Sequence, residues 1–496
     1  MLTLKMHEVW LVAGSQDLYG TKVLDQVKSN SKIIAKFFNG KISIKVKFYD
    51  VVTSSESILE LSQKANSNNN CIGLILWMHT FSPAKMWIDG LIYLNKPFLH
   101  LNTQFNDKIP WGEIDMDFMN LNQSAHGDRE FGFMVTKLGI NRKVVIGYWK
   151  DKDVLDKINT WSRAALAKHN WRRTKIARIG DNMREVAVTE GNKVAAQIKF
   201  GYSVNGYGMG DLINNIKATK NVRINQLVEE YETLYDLSDQ LQANGSKRMN
   251  LIESAKIELG LRSFLKEGGF TAFTDTFENL HGLSQVPGIA IQRLMSDGYG
   301  FGAEGDWKTA ALVRAMKVMS DGMDGGNSFM EDYTYHFQSN GSQVLGAHML
   351  EVCPTITHEK PRCEVHPLSI GGKEDPVRLV FNGTQGRGLN ASMIDLGDRF
   401  RLIVNTIEAV NPKKLPKLPV ARVLWHPQPN LKLAAEAWIL AGGAHHICYS
   451  QSVTPNHLRD FAEMLDIEYI LIDSDSKIED IKNELKWNSV YYANRN

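Results

Sequence analysis

The sequence predicts two consecutive doubly wound α/β domains followed by a C-terminal domain built on an antiparallel β-barrel or sandwich. Three observations carry this reading. Short apolar runs alternate with helix-period segments through the first part of the chain. A fresh strand–helix series starts after the polar, basic stretch Asn170-Trp-Arg-Arg-Thr174. Beyond Gly325-Gly326 the helical spacing gives way to short alternating segments with turn residues between them. The boundaries are 1–172, 173–326 and 327–496, and a length of 496 residues also makes about three domains at roughly 150 residues each.

Residues 9–13 are an apolar run that ends at Gly14. Val23, Leu24, Val27, Ile34 and Phe38 share one face of the helix that follows. Ile42, Ile44, Val46 and Phe48 alternate with Ser43, Lys45 and Lys47, which is strand periodicity. Thr53 and Glu56 read as a capping box opening the next helix. Residues 71–78 form a buried strand, Pro83 opens a helix, and 98–101 and 144–148 are further strands before a helix at 151–169. Helices placed between strands require parallel pairing. In the second domain, 176–179 and 270–273 are strands, while 192–200, 221–260 and 306–319 are helical, the last begun by Asp306 as N-cap. In the third, 328–337 and 343–352 flank Asn340-Gly341, a two-residue hairpin turn. Strands at 377–381, 391–395, 399–405 and 421–425 follow, and helices return after Leu433.

Composition excludes several classes. With 57 basic and 55 acidic residues the net charge is +2, so no large basic field points to nucleic acid. Apolar residues at 43% and charged residues at 23% are those of an ordinary globular chain. Four cysteines with no close pair are read as reduced thiols of a cytoplasmic protein. The N-terminus lacks the basic segment and cleavage site of a signal peptide. The longest apolar run, about eight residues, is far short of the ~20 that span a bilayer.

Gly300-Phe-Gly302-Ala-Glu-Gly305 fits the G-x-G-x-x-G pattern, but a helix end precedes it where a dinucleotide site needs a buried strand. Glu304 inside the loop would also repel a pyrophosphate. The segment therefore reads as a flexible loop whose glycines allow close backbone approach. Glu304 is read as either a solvated group at a helix start or a functional carboxylate. A two-residue turn at Asn340-Gly341 places Glu331 opposite Leu350 and Tyr333 opposite His348, so Glu331 and His348 are diagonal neighbours on one face. Tyr333, Tyr335 and Phe337 imply that this face is partly covered. A covered carboxylate and imidazole have a mutual hydrogen bond or a metal as their reason. His445 and His446 are adjacent in an extended segment, so their side chains diverge and at most one serves the same site. Gln16 and His126 lie in loops at the ends of parallel strands, where such folds bind ligands.

Seven stretches together carry a resemblance. They are Gly14-Ser-Gln-Asp-Leu-Tyr-Gly20, His126-Gly-Asp-Arg-Glu-Phe-Gly132, Phe277-Glu-Asn-Leu-His-Gly282, Gly298-Tyr-Gly-Phe-Gly-Ala-Glu-Gly-Asp-Trp-Lys308, Ser328-Phe-Met-Glu-Asp-Tyr-Thr-Tyr-His336, Gly346-Ala-His-Met-Leu-Glu-Val-Cys-Pro354 and Ala441-Gly-Gly-Ala-His-His446. In these the chain closely resembles the L-arabinose isomerase family, from the first strand to Trp487-Asn-Ser-Val-Tyr-Tyr492.

The resemblance implies an aldose–ketose isomerase with a fucose-isomerase-like architecture, one Mn²⁺ per subunit (Co²⁺ or Mg²⁺ as substitutes) and a homohexamer. It places the metal ligands on Glu304, Glu331, His348 and His446. Glu304 and Glu331 then share the proton transfers, with Asp306 behind them or serving an oxygen-bound proton. The sugar pocket falls on Gln16, Met183, Phe277, Ile370 and His126, the last reaching in from a neighbouring subunit. The expected reaction turns L-arabinose into L-ribulose, with D-galactose as a further substrate. An L-fucose-type isomerase and a non-catalytic sugar-binding protein are the alternatives. Small departures at Leu368-Ser369 and in Asn382-Gly-Thr-Gln-Gly-Arg-Gly388 bear on sugar preference.

Overall fold

The computed structural model describes residues 4–338, 341–368 and 372–493; Asn340 and Ile370 lie outside the described residues. The chain falls into two compact units.

One unit comprises Leu2–His169 and Asn456–Asp466. Its strands are β1 (Glu8–Gly14), β2 (Lys45–Val52), β3 (Cys71–Met78), β4 (Phe98–Asn102) and β5 (Lys143–Ile146), all parallel, in the order β2-β1-β3-β4-β5. The order reverses direction between β1 and β3, as in doubly wound sheets. Both strands lie inside the sheet, which is why their sequences are unbroken apolar runs; all eight residues of β3 are buried. The burial of Ile42 and Ile44 keeps the expected alternation, but ladder pairing starts only at Lys45. Side-chain alternation reports which face a residue occupies, not whether its backbone is paired. The predicted capping box is displaced by one residue. Ser54 caps the helix Ser55–Ser67: its hydroxyl oxygen accepts the Ser57 N–H, and the Ser57 hydroxyl oxygen accepts the Ser54 N–H. Lys143 pairs with Asp460 at 2.6 Å and ties the later segment to the β5 edge.

The other unit contains Asn170–Pro455 and Ile467–Asn496. It opens with β6 (Lys175–Ile179), β7 (Ser203–Tyr207) and the two-residue β8 (Asp236–Leu237), then β9 (Ala272–Asp275) and β10 (Gly300–Gly302). Strands β10-β9-β6-β7 form a parallel sheet. The region 221–260, expected to be largely helical, is interrupted: helices Asn221–Leu234 and Arg248–Gly268 flank β8. There the chain leaves the helix to pair with the three-stranded sheet formed by β13 (Arg362–Val365) and β14 (Val377–Val380).

The barrel is made of β11 (Asn327–His336), β12 (Gln343–Ala347), β15 (Gly386–Asp395), β16 (Phe400–Val410), β17 (Arg422–Pro427) and β18 (His446–Ser450). The order β15-β18-β11-β12-β17-β16 closes through β15–β16 pairing, entirely antiparallel, and β19 (Glu468–Ile472) adds to β16 in parallel. Between the central sheet and the barrel runs the helix Trp307–Met319, touching β6, β9 and β10 on one side and β11, β15 and β18 on the other. All thirteen of its residues are buried, Lys308, Arg314 and Lys317 included.

Two expectations are corrected here. The G-x-G-x-x-G segment is not a flexible loop. Its first half is β10, and a Cβ on Gly300 or Gly302 would come within 2.1 Å of the Ala310 carbonyl oxygen or 2.3 Å of the Asp306 carbonyl oxygen. The glycines admit the buried helix against the strand. The hairpin register also differs. His336 pairs with Gln343 and Glu331 with Ala347, with a register shift between Asp332 and Thr334. The connection is therefore longer than two residues, closed by a bond from Ser342 to the Gln338 carbonyl (3.1 Å), and the bulge at Tyr333 changes the parity.

Candidate active site

The carboxyl ends of β6, β9 and β10 deliver Met183, Phe277 and Glu304 to one place, as open parallel sheets do. Glu304 follows β10 with a left-handed backbone (φ 61°), and Gly305 continues at φ 86°. For a non-glycine residue this conformation costs about 1 kcal/mol or more. Surrounding bonds enforce it. The Glu304 carbonyl accepts the Met183 N–H (2.9 Å), and the Asp275 carbonyl accepts the Gly305 N–H (3.0 Å). The turn aims the Glu304 side chain back at the barrel.

The barrel supplies the other groups. Glu331 in β11 stands directly across the ladder from His446, the first residue of β18. His348 follows the last residue of β12, and Ala347 before it pairs with Glu331. Glu331 and His348 thus come together, but through this pairing and not through the diagonal contact expected from a tight turn. The His446 Nε2 lies 3.6 Å from Glu304 Oε2 and 3.5 Å from Glu331 Oε1; the His348 Nε2 lies 3.8 Å from Glu331 Oε1. These separations are too long for good hydrogen bonds. They are in the range of donors around an ion: Glu304, Glu331 and His348 can place ligand atoms within 4.8 Å of one another, and so can Glu304, His445 and His446. The Nε2 of His446 is buried with no hydrogen-bond partner among the described residues, which a metal bond would answer. Two oxygens and two imidazole nitrogens without a thiolate suit a divalent ion of intermediate hardness.

Each imidazole is held from behind. His446 donates Nδ1–H to Asp306 Oδ2 at 3.0 Å, and His348 donates Nδ1–H to Glu351 Oε2. Both Nε2 atoms are thereby left as the inward donors. Phe329 lies edge-on to both rings, with centroids 4.9 and 5.2 Å away. Asp306 is also the N-cap of the buried helix, as expected.

Charge is concentrated here. Burial alone pushes His446 toward the neutral form. The hydrogen bond to Asp306 and the nearby carboxylates of Glu304 and Glu331 outweigh that and hold it well above the ordinary imidazole value. His348 is likewise raised against its burial, by Glu351. Burial pushes the Glu331 carboxyl up, but His446 and His348 bring it below its usual value. Asp306 is held far down despite burial, by Lys308 and His446. Burial, reinforced by Glu351, pushes Asp275 up to about 7, and burial raises Asp332 to about 7.

A cavity of about 440 Å³ opens on Glu304, Glu331, His348 and Glu351. Met183, Phe277, Val286, Met349, Leu350 and Leu368 give it an apolar wall opposite Glu304, Glu331 and His348. His445 also lines it, with Nε2 at 3.8 Å from Glu331 Oε1 and within metal-ligating range of Glu304 and His446. Adjacent side chains were expected to diverge. They turn to the same site because His445 precedes the strand, where alternation does not yet apply. The aromatic cover expected over the hairpin is not formed: Tyr333, Tyr335 and Phe337 are exposed, since beyond Glu331 strand β11 loses β18 as a neighbour and pairs with β12 alone.

Gln16 follows β1 in the other unit. His126 lies there too, in the first turn of the helix Ser124–Lys137 and not in a loop, exposed and packed at a tilt against Phe81 with ring centroids 4.6 Å apart. Sequence reasoning missed Glu351, Phe329, Asp275 and the inward turn of His445. Only Glu351 left a signal, three residues after His348.

Family models for the L-arabinose isomerase N-terminal, central and C-terminal domains match residues 3–173, 175–322 and 326–468. The chain is 58% identical to the L-arabinose isomerase of Geobacillus kaustophilus over 498 residues, covering all of both chains. It is 58% identical to that of Flavobacterium johnsoniae over 99% of each chain, and 55% identical to L-arabinose isomerase 1 of Bacillus licheniformis over all of both. A periplasmic binding protein from Bordetella pertussis aligns with 76% of this chain and 99% of its own at 8% identity and a TM-score of 0.16, which carries no argument. Three consecutive domain models and full-length relatives of this identity establish that the chain belongs to the L-arabinose isomerase family.

Proposed function

We propose that this protein isomerises L-arabinose to L-ribulose, the first step of L-arabinose catabolism, at a divalent metal held by Glu304, Glu331, His348 and His446. The observation that carries the reading is that Glu304, Glu331 and His348 line one cavity, with the Nε2 of the buried His446 3.6 Å from Glu304 and 3.5 Å from Glu331 and without a hydrogen-bond partner among the described residues. Relatives of matching length and high identity bear the corresponding name. Mn²⁺ is the ion of choice, since two imidazoles favour a softer ion than Mg²⁺.

The reaction moves hydrogen from C2 to C1 and a proton from O2 to O1. A bound divalent ion supplies polarisation of the sugar carbonyl and stabilises charge developing between C1 and C2. The protein's own part is positioning and proton transfer. One carboxylate can carry the C2 proton to C1 and the other the O2 proton to O1, each giving back the proton it takes; Glu331 is held ionised below its usual range, and Glu304 is turned inward by its strained backbone. The apolar wall holds the sugar's carbon face and excludes water. Asp306 has both oxygens engaged by Lys308, Thr309 and His446, so its part is to fix His446.

The same reading takes in D-galactose, which shares the C2–C4 stereochemistry of L-arabinose. It also takes in a cytoplasmic hexamer in which His126 serves a neighbour's pocket, supported by the exposure of that imidazole. The test is turnover on a panel of aldoses after EDTA treatment and with Mn²⁺ restored. L-Arabinose turnover that depends on the added ion is expected; full activity in the chelated protein refutes the reading.

A further inference from the structure

We propose that Lys308 is a positioning residue for the metal centre, acting through Asp306 on His446; the inference rests on the metal reading above. Lys308 is only 2% exposed. An ammonium group removed from water costs several kcal/mol unless it is paired and hydrogen-bonded, so its place needs a reason. Its Nζ donates to the Glu190 carbonyl at 2.6 Å and lies 3.2 Å from Asp306 Oδ1.

The accounting at Asp306 shows what the ammonium does. Oδ1 accepts the backbone N–H groups of Lys308 and Thr309, each at 3.2 Å. Oδ2 accepts the Thr309 hydroxyl at 2.7 Å and the His446 Nδ1–H at 3.0 Å. One carboxylate thus starts the buried helix and aims an imidazole. Starting a helix needs no charge: Ser54, Asn192 and Asn430 cap theirs with neutral side chains. Aiming the imidazole does, because a full carboxylate makes the stronger, directional bond that fixes Nδ1 as donor and Nε2 as ligand. Lys308 supplies the countercharge that lets the carboxylate exist where Asp306 is only 1% exposed. Anchored on the Glu190 carbonyl, the ammonium also keeps Oδ1 turned away from His446 and Oδ2 toward it.

The experiment measures Mn²⁺ dissociation constants, from the electron paramagnetic resonance signal of free Mn²⁺, for the parent, Lys308→Met, Asp306→Asn and the double variant. Unfolding midpoints of the metal-free proteins are recorded alongside. Lys308→Met is expected to weaken Mn²⁺ binding about tenfold, the lower end of the range for groups that orient a ligand. In the Asp306→Asn background the same substitution should change affinity less than twofold, because its route is gone. Lys308→Arg should restore binding to within about threefold. A folded Lys308→Met that binds within twofold of the parent overturns the proposal. So does an undiminished tenfold loss in the Asp306→Asn background, which would assign the effect to the Glu190 anchor alone. Should Lys308→Met fail to fold, Lys308→Gln retains an N–H for Glu190 without the charge and is judged by the same limits. A parent that binds no Mn²⁺ overturns the metal reading and this inference with it; a binding parent with unaffected variants overturns this inference only.

Discussion

Replacing Glu351 by glutamine isolates the contribution of the carboxylate charge that holds His348. Glu351 is 5% exposed, accepts Nδ1–H from His348 and also takes the Leu350 N–H at 3.0 Å. Glutamine keeps the shape and can accept both bonds through its carbonyl, so what is removed is the charge. Hydrogen bonds to charged partners contribute about 1.5–3 kcal/mol and neutral ones about 0.5–1.5. The difference of about 1–1.5 kcal/mol corresponds to Mn²⁺ binding weakened about five- to twelvefold. A calorimetric titration across pH supplies a second readout. In the metal-free chain His348 and His446 both hold their protons above the ordinary imidazole value, and those protons must leave before the nitrogens ligate. The parent's affinity therefore rises with pH. Without the Glu351 charge His348 releases its proton at lower pH, so the variant's curve is shallower while its high-pH plateau is lower. Affinity within twofold of the parent at every pH would refute the reasoning.

Four further outcomes follow from the same geometry. Glu304→Gln and Glu331→Gln should each lower kcat by at least a hundredfold with the circular dichroism spectrum unchanged, since on the proposed mechanism each removes both a ligand and a proton carrier. Gly302→Ala puts a methyl group 2.3 Å from the Asp306 carbonyl oxygen and should lower stability by about 1–3 kcal/mol, read in urea unfolding, with Mn²⁺ affinity falling as the helix start shifts. Asp275, raised by burial to about 7, binds a proton in the folded chain that it has lost when unfolded. Its stabilising contribution is present below about pH 4 and is lost as pH rises to 7, so Asp275→Asn should flatten that decline in metal-free unfolding. Mixing His126→Ala with Glu331→Gln subunits after dissociation should restore partial activity if sites are completed across chains; a dead mixture of proven hybrids would exclude that arrangement.

The fold was legible where burial is continuous. The eight buried residues of β3 could be nothing but an interior strand, and the change of rhythm after Gly325-Gly326 marked where the parallel sheet stops. The hairpin register was not legible, because Asn340-Gly341 is a strong local turn signal while the bulge at Tyr333 is set by β18 ending its pairing at Glu331. The ligand candidates came from motif resemblance; spacing alone left Glu304 undecided. Glu351 and the inward His445 depend on how chain ends leave strands, which neither periodicity nor composition records.

The helix Trp307–Met319 has no side that meets water. It leaves the ribosome well before its second wall exists: 131 residues separate Met319 from Ser450, the end of the last barrel strand laid against it. At about 5–20 residues per second that interval is roughly 7–26 s. Throughout it, one flank of this wholly buried helix lacks its final cover. The arrangement that sets Asp306 so firmly beneath His446 therefore makes the nascent chain, more than the finished enzyme, the species in need of chaperone protection.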